Sequence, residues 1–184
     1  INMDDDFAHE VETLAWVRGI TTMSVGERGE NIHLLSCEPK EDGQQLKIGV
    51  QGQVYNVFLP LIGDFQASNA LVALGLLLAC GDNANTSVPL LSKLHGVPGR
   101  LEDIGLSRRG ARVLIDYAHT PDGLRAALQA VAPHCKGRVH VVFGCGGDRD
   151  KGKRPQMGAI ASELADRVSV SYTHLRAHET IRHL

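Results

Sequence analysis

Two different patterns of apolar and polar positions follow one another along this chain. In the first part, helical spacing and short alternating runs are interleaved. Apolar residues recur at helical spacing at Phe7, Val11 and Leu14. Apolar or alternating runs then predict strands at 21–24, 32–35, 46–50 and 54–59. The first part therefore predicts a helix followed by a β-rich stretch.

The nearly apolar run after Gly63 and Asp64 predicts a helix that ends at about Cys80, with Asp64 as its N-cap. A second helix is predicted at about 88–94, before the Pro- and Gly-containing break in "HGVPGRLEDIG".

The second part alternates buried strands with amphipathic helices. "ARVLIDYA" and "RVHVVFGC" are apolar throughout, which is typical of strands covered on both faces. Thr120 is expected to cap the intervening helix, with Pro121 at its first position. That helix buries Leu124, Ala127, Leu128 and Val131, and the next helix buries Met157, Ile160, Ala161 and Leu164. This order predicts an α/β fold with a parallel sheet, and the domain boundary is expected at 107/108.

Composition excludes several classes of protein. With 184 residues and 43% hydrophobic content, the chain can bury a core of one domain or two small ones. A net charge of −2 indicates neither nucleic-acid nor membrane binding. The longest apolar run, 70–80, is about half the roughly 20 residues that a membrane helix needs. Four cysteines without CxxC spacing, and no signal peptide, predict reduced thiols in a cytoplasm.

The loop "GCGGDRDKGKRPQMG" combines glycines with charges beyond the carboxyl end of a predicted strand. In parallel sheets this edge holds the functional crevice. The glycines allow a ligand to approach the backbone, and Lys151, Lys153 and Arg154 offer cations to a phosphate or carboxylate. A solvated loop whose charges neutralise one another is the alternative. Neither a dinucleotide fingerprint nor a Walker loop is present.

Five further residues are candidates for ligand binding. Asp116 and His119 follow a buried strand and suit ribose, metal or proton handling. Alternatively, Asp116 ties down the next loop and His119 packs against it. Gln66 and Asn69 share one face of a helix, where local amide bonding is the alternative. Arg100 would by itself more often form a surface salt bridge.

Five motifs in this order resemble the Mur ligase family: "NMDD", "GDFQASNALVA", "GRLE", "DYAHTPDGL" and "FGCGGDRDKGKRPQMG". The last two are most similar to its UDP-N-acetylmuramoyl-tripeptide synthetase branch. The resemblance implies that 1–107 is the C-terminal part of the central ATPase domain. It further implies that 108–168 is the first half of a Rossmann-like amino-acid-binding ligase domain.

The resemblance implies an ATP-dependent ligase of bacterial peptidoglycan synthesis. Such an enzyme adds meso-diaminopimelate or L-lysine to UDP-N-acetylmuramoyl-L-alanyl-D-glutamate through an acyl phosphate. It would be a cytoplasmic monomer that binds ATP, Mg²⁺ and small-molecule substrates. Within the same enzyme class, cyanophycin or folylpolyglutamate synthetase is the rival. A non-catalytic nucleotide-binding module is the alternative from another class.

By the match, Asn69 corresponds to the family's asparagine near adenine, Arg100 to an arginine that reaches ATP, and Asp116 to the ribose-binding aspartate. Gln66 departs from a usual asparagine. By position, Lys151 and His119 are implied as catalytic groups, whereas Thr120 and Arg154 are implied to bind substrate. The metal ligands, the phosphate loop and the UDP-binding domain would lie before Ile1, so this chain alone is expected to be inactive.

The tail 169–184 contains His174, His178 and His183, which could indicate a metal site. However, "VSYTHLRAHET" resembles, codon for codon, one reading frame of a transposase adapter used for sequencing libraries. The tail is therefore expected to be non-native, and no metal site is predicted in it.

Overall fold

The computed structural model describes residues 1–145 and 152–171. Its contacts divide the chain into two compact units, 1–96 and 97–184. The fold is α/β, as the sequence patterns predict, and it contains both parallel and antiparallel strand pairs. Within the described ranges, no helix is long and apolar enough to cross a membrane.

The first unit is a four-stranded sheet with helices packed against it. Its elements are α1 (Ala8–Val17), β1 (Val25–Gly26), β2 (Ile32–Lys40), β3 (Gly43–Val50), β4 (Gln53–Leu59), α2 (Asp64–Ala79), α3 (Ala84–Ser87) and a 3₁₀ helix (Val88–Lys93). The strands lie in the order β1-β2-β3-β4, with β1 parallel to β2 and the other pairs antiparallel. Fully buried residues of the sheet, such as Ile32, Leu46 and Leu59, share one core with Leu71 and Leu74 of α2.

Two local predictions in this unit are wrong, and a third is confirmed with a different helix type. Segment 21–24 lies before the short strand β1 rather than in a strand. Gly63, at φ 98°, is the N-cap of α2, and Asp64 is its first helical residue, whose Oδ1 accepts from the adjacent Phe65 N–H at 2.8 Å. The helix predicted at about 88–94 is present at Val88–Lys93, as a 3₁₀ helix with Pro89 in its first turn. In each case the local backbone geometry, which residue type specifies only weakly, decides the outcome.

The second unit contains a β-hairpin and a βαβ element. Its elements are β5 (Glu102–Leu106), β6 (Arg112–Ile115), α4 (Pro121–Val131), a 3₁₀ turn (Ala132–His134), β7 (His140–Gly144), α5 (Lys153–Leu164) and β8 (Arg167–Ser171). β7 and β8 pair in parallel from His140↔Arg167 to Gly144↔Ser171. A core of Leu124 and Leu128 from α4, Met157, Ile160 and Ala161 from α5, and Cys145 lies between these elements.

The sheet of the second unit differs from the one predicted. β6 pairs antiparallel with β5, and in the described part of the chain it is not hydrogen-bonded to β7. Apolar side chains on the β7–β8 pair remain exposed, including Val142 (73%) and Val170 (57%), so the described residues do not cover both faces of these strands. β5 joins the second unit through this hairpin, and the contacts divide the two units at 96/97. The boundary between the two family domains at 107/108 stays a prediction.

Candidate functional site

A tight turn at the start of the second unit presents Arg100. Val97 C=O accepts the N–H of Arg100 at 3.0 Å, and Gly99 has a φ of 70°. Pro at the second position and Gly at the third are typical of a type II turn, which requires that positive φ. Leu101 follows with a φ of 45° although it is a buried leucine. Such a conformation is costly for a residue with a Cβ and persists only where surrounding contacts hold it.

Asp116 supplies one of those contacts. Its carboxylate follows β6, where Oδ2 accepts the N–H of Leu101 at 2.9 Å and Oδ1 accepts the N–H of Ala118 at 2.8 Å. The Tyr117 N–H adds a bond to Gly99 C=O at 2.7 Å. Asp116 therefore holds the neighbouring loop segments through backbone contacts, as the alternative interpretation of this residue predicts. A carboxylate has about four lone-pair sites, so each oxygen can still accept from a ligand hydroxyl.

The ring of Tyr117, just after β6, contacts two other side chains, Arg100 from the preceding turn and His119. The guanidinium carbon of Arg100 lies 5.7 Å from the centroid of the Tyr117 ring. On the same ring, His119 packs at a centroid distance of 4.9 Å and an interplanar angle of 59°. The His119 Nδ1 also lies 3.0 Å from the Tyr117 C=O. Two predicted site residues, Arg100 and His119, are thus joined through a residue that was not predicted.

Thr120 begins α4 in the way its position predicts. Its side-chain oxygen accepts the N–H of Gly123 at 3.1 Å, and Pro121 occupies the first turn. Thr120 therefore has a structural role as an N-cap. Lys153, in the first turn of α5, places its Nζ 3.3 Å from the His119 C=O. This contact links the loop after β6 to the start of α5, and both features lie at strand-to-helix connections.

The two amides predicted to lie near adenine belong to the first unit. Gln66 and Asn69 are three residues apart in α2, but Gln66 is buried and Asn69 is exposed. The Gln66 backbone N–H closes the first turn on Gly63 C=O at 3.0 Å. Asn69 is consequently the more accessible of the two for a ligand.

A buried amide supports the loop that leads into α2. Gln44 Nε2 donates to Leu61 C=O at 3.0 Å and to Gly63 C=O at 2.7 Å. Its Oε1 accepts the thiol of Cys37 at 3.0 Å. Burial raises the pKa of the Cys37 thiol, and the carboxylates of Asp64 and Glu27 raise it further. Gln44 in β3 therefore holds the backbone just before α2, the helix that carries Asn69.

The remaining predictions fall at the charged glycine loop. Arg154 is half-buried in the first turn of α5, whereas Lys151 lies outside the described residues, as do the histidines of the tail. Across 1–145 and 152–171, no group of three or more His, Cys, Asp or Glu side chains could hold a metal ion. The sequence reasoning missed Leu101, Tyr117 and the contact of Lys153. Tyr117 stands inside the motif "DYAHTP", which was the available signal for it.

Comparison with known proteins matches both units. Residues 1–77 match the Mur ligase middle domain, and residues 99–183 match the Mur ligase, glutamate ligase domain. The second match extends into the tail predicted to be non-native. Because residues 172–184 lie outside the described part of the chain, the origin of the tail stays a prediction.

Relatives cover nearly all of this chain. The UDP-N-acetylmuramoyl-L-alanyl-D-glutamate–2,6-diaminopimelate ligase of Zymomonas mobilis subsp. mobilis is 48% identical over 181 residues, which is 97% of this chain and 37% of the relative. The ligase of the same name from Caulobacter vibrioides is 43% identical over 179 residues, with the same two coverages. A solved structure of a ligase of that name is 30% identical with a TM-score of 0.71, over 94% of this chain and 36% of that one. The chain thus spans little more than a third of the length of these relatives.

Proposed function

The chain belongs to the Mur ligase family, and from this premise we propose that it is part of a UDP-N-acetylmuramoyl-L-alanyl-D-glutamate–2,6-diaminopimelate ligase. The observation that carries the proposal is the 48% identity to a ligase of that name over 97% of the chain. The third residue of the stem peptide is then diaminopimelate rather than lysine.

The described residues offer contacts for a nucleotide. Mur ligases are ATP-dependent. In the proposed reaction the substrate carboxylate takes the γ-phosphoryl group of ATP to give an acyl phosphate and ADP, and the amine of the incoming amino acid then displaces phosphate to form the amide. We place the cationic Arg100 on the nucleotide, where a guanidinium suits phosphate oxygens. Asp116 accepts ribose hydroxyls through the lone pairs that its two backbone contacts leave available. The exposed amide of Asn69 serves the adenine, and the buried Gln66 supports α2.

The second group of proposed site residues lies in the loop after β6 and around the start of α5. His119 and Lys151 are proposed to act near the acyl phosphate, and Thr120 and Arg154 near the substrates. Neutralising negative charge is the main demand of phosphoryl transfer. Mg²⁺ usually binds through one or two carboxylates together with substrate phosphates, and we assign it no ligand among the described residues.

The test is made on the complete ligase. Sequencing the source DNA outward across codons 1 and 168 recovers the gene and also decides the origin of the tail. The purified full-length protein is then supplied with ATP, Mg²⁺, the UDP-linked dipeptide and either diaminopimelate or lysine. We expect ADP, phosphate and a tripeptide product with diaminopimelate. Product with lysine alone would overturn the choice of amino acid.

A panel of other acceptors tests the class of ligase. Ligation of glutamate to a folate, with no reaction on the UDP-linked dipeptide, would favour a folylpolyglutamate synthetase. Nucleotide binding without ligation of any acceptor would favour a non-catalytic module. The 184-residue chain alone is expected to form no product, because it spans 37% of the relative's length.

A further inference from the structure

Tyr117 lies between two residues of the proposed site. The centroid of its ring lies 5.7 Å from the Arg100 guanidinium carbon and 4.9 Å from the centroid of the His119 imidazole. We propose that Tyr117 is a positioning residue that fixes Arg100 for the nucleotide and His119 for the reacting groups. This inference rests on the proposed function and adds a residue to it.

The backbone of the same loop fixes the segment that carries Arg100. Tyr117 N–H donates to Gly99 C=O at 2.7 Å, and Asp116 Oδ2 accepts the N–H of Leu101 at 2.9 Å. The residues on both sides of Arg100 are therefore bonded to consecutive residues after β6. With its backbone held in this way, the position of the guanidinium depends on side-chain rotamers, and the Tyr117 ring is the group over which it lies.

His119 is held from two directions. The ring of Tyr117 contacts one side of the imidazole, and Nδ1 lies 3.0 Å from the Tyr117 C=O. Because a carbonyl oxygen can only accept, Nδ1 carries the proton in this contact. In the neutral ring Nε2 is then the acceptor nitrogen, which is the form that can take a proton from an amine.

The exposure of Tyr117 argues against a mainly structural role. Tyr117 is 65% exposed as a residue, so it buries little area and contributes little to the stability of the fold. The ring contacts that the structure gives for it both involve residues of the proposed site. A guanidinium within about 6 Å of a ring centroid gains a cation–π attraction. Pre-ordering Arg100 in this way lowers the entropy lost when the nucleotide binds.

The experiment is a double-mutant cycle in the full-length ligase that carries this segment. Affinity for a non-hydrolysable ATP analogue is measured by titration calorimetry in Tyr117→Ala, Tyr117→Phe, Arg100→Ala and the double variant Arg100→Ala/Tyr117→Ala. Leu106→Ala is the matched control, because Leu106 is 67% exposed in the same unit. Thermal midpoints show whether each variant is folded, and steady-state kinetics give kcat and the KM for ATP.

We expect Tyr117→Ala to weaken analogue binding by about two- to fivefold, the loss of one exposed cation–π contact. Tyr117→Phe keeps the ring and should retain the affinity, and Leu106→Ala should bind as the parent does. In the Arg100→Ala background, Tyr117→Ala should cause no further loss, since its effect on the nucleotide passes through Arg100. The KM for ATP should rise in Tyr117→Ala, and a fall in kcat would report the release of His119.

The two proposals fail in different ways. If Arg100→Ala weakens binding and Tyr117→Ala does not, or if their effects are additive, the positioning role is overturned and the nucleotide site stands. If Arg100→Ala leaves the affinity unchanged, the placement of Arg100 at the nucleotide is wrong, and the positioning role falls with it. Equal losses in Tyr117→Phe and Tyr117→Ala would assign the effect to the hydroxyl and would also overturn the inference.

Discussion

The carboxylate of Asp116 accepts the backbone N–H of Leu101 across 15 positions of sequence, at 2.9 Å. Leu101 is buried at a φ of 45°, a backbone region that leucine seldom occupies. The side chain proposed to hold the ribose therefore also holds an unfavourable turn. Loss of Asp116 should consequently affect both the nucleotide and the fold.

Asp116→Ala is expected to lower ATP-dependent ligation by at least about tenfold, equivalent to roughly 1.4 kcal/mol. It should also lower the free energy of unfolding by about 1–3 kcal/mol, because the N–H groups of Leu101 and Ala118 lose their acceptor. Urea denaturation and a ligation assay on the full-length protein measure the two effects. Asp122→Ala, an exposed acid in the first turn of α4, is the control. Near-normal turnover in Asp116→Ala would remove Asp116 from the site.

Arg100→Ala is expected to reduce ligation by at least about tenfold, the loss of one charged contact to the nucleotide. Arg100 is exposed, so the free energy of unfolding should change little. Arg100→Lys keeps the positive charge but loses the planar guanidinium, so its ligation activity should lie between that of the parent and that of Arg100→Ala. A fall in the urea midpoint of Arg100→Ala that is large enough to explain its loss of activity would contradict a binding role.

Thr120→Ala is expected to destabilise the protein by about 1 kcal/mol, because the oxygen that caps α4 through the Gly123 N–H is lost. Thr120→Ser keeps that oxygen and should retain most of the stability. If Thr120 also touches substrate, ligation in Thr120→Ala will fall by more than the unfolded fraction explains. An unchanged urea midpoint in Thr120→Ala would show that the cap contributes nothing.

Gln44→Leu is expected to lower the free energy of unfolding by about 1–3 kcal/mol, because the carbonyls of Leu61 and Gly63 lose the donors of a buried amide. Gln45→Leu, at the neighbouring half-buried position of β3, is the matched control. The experiment compares urea midpoints. Equal midpoints for the two variants would mean that the buried amide does not support the start of α2.

Cys37 should react slowly with alkylating reagents at alkaline pH. Burial raises its pKa above the ordinary 9.0, with Asp64 and Glu27 adding to the effect, so its thiolate appears at higher pH than that of an ordinary thiol. In timed iodoacetamide labelling near pH 9.0, the exposed Cys80 should be modified before Cys37. The Cys37 thiol loses its proton at a lower pH in the unfolded chain than in the folded protein. The contribution of Cys37 to stability is therefore present below the unfolded-state pKa and is lost as the pH rises through the folded-state pKa. Equal labelling rates would contradict the raised pKa.

The motifs identified the family correctly, and the matches to both domains confirm it. Periodicity placed α4 with its Thr120 cap, and it placed the buried stripe that contains Met157, Ile160 and Ala161. These features are local, because a cap and a helical stripe depend on residues within a few positions of one another. The roles assigned to the site residues stay predictions.

What the sequence could not show depends on contacts between distant residues. The pairing of β6 with β5 is not encoded in the apolar run of "RVLI", which suits a parallel or an antiparallel partner equally. A positive φ at Leu101 has no signal in a leucine. The stacking of Tyr117 on Arg100 joins side chains from a turn and from the end of a strand, so no periodicity could predict it.

The apolar positions that this structure leaves open to water have a practical consequence. Trp16 and Val17 at the end of α1 are 81% and 69% exposed, and Val142 in β7 is 73% exposed. The 184-residue chain prepared by itself should therefore bind a hydrophobic dye such as ANS and scatter more light as its concentration rises. The isolated chain should therefore be measured at low concentration and fused to a solubilising protein, whereas variants should be compared in the full-length enzyme.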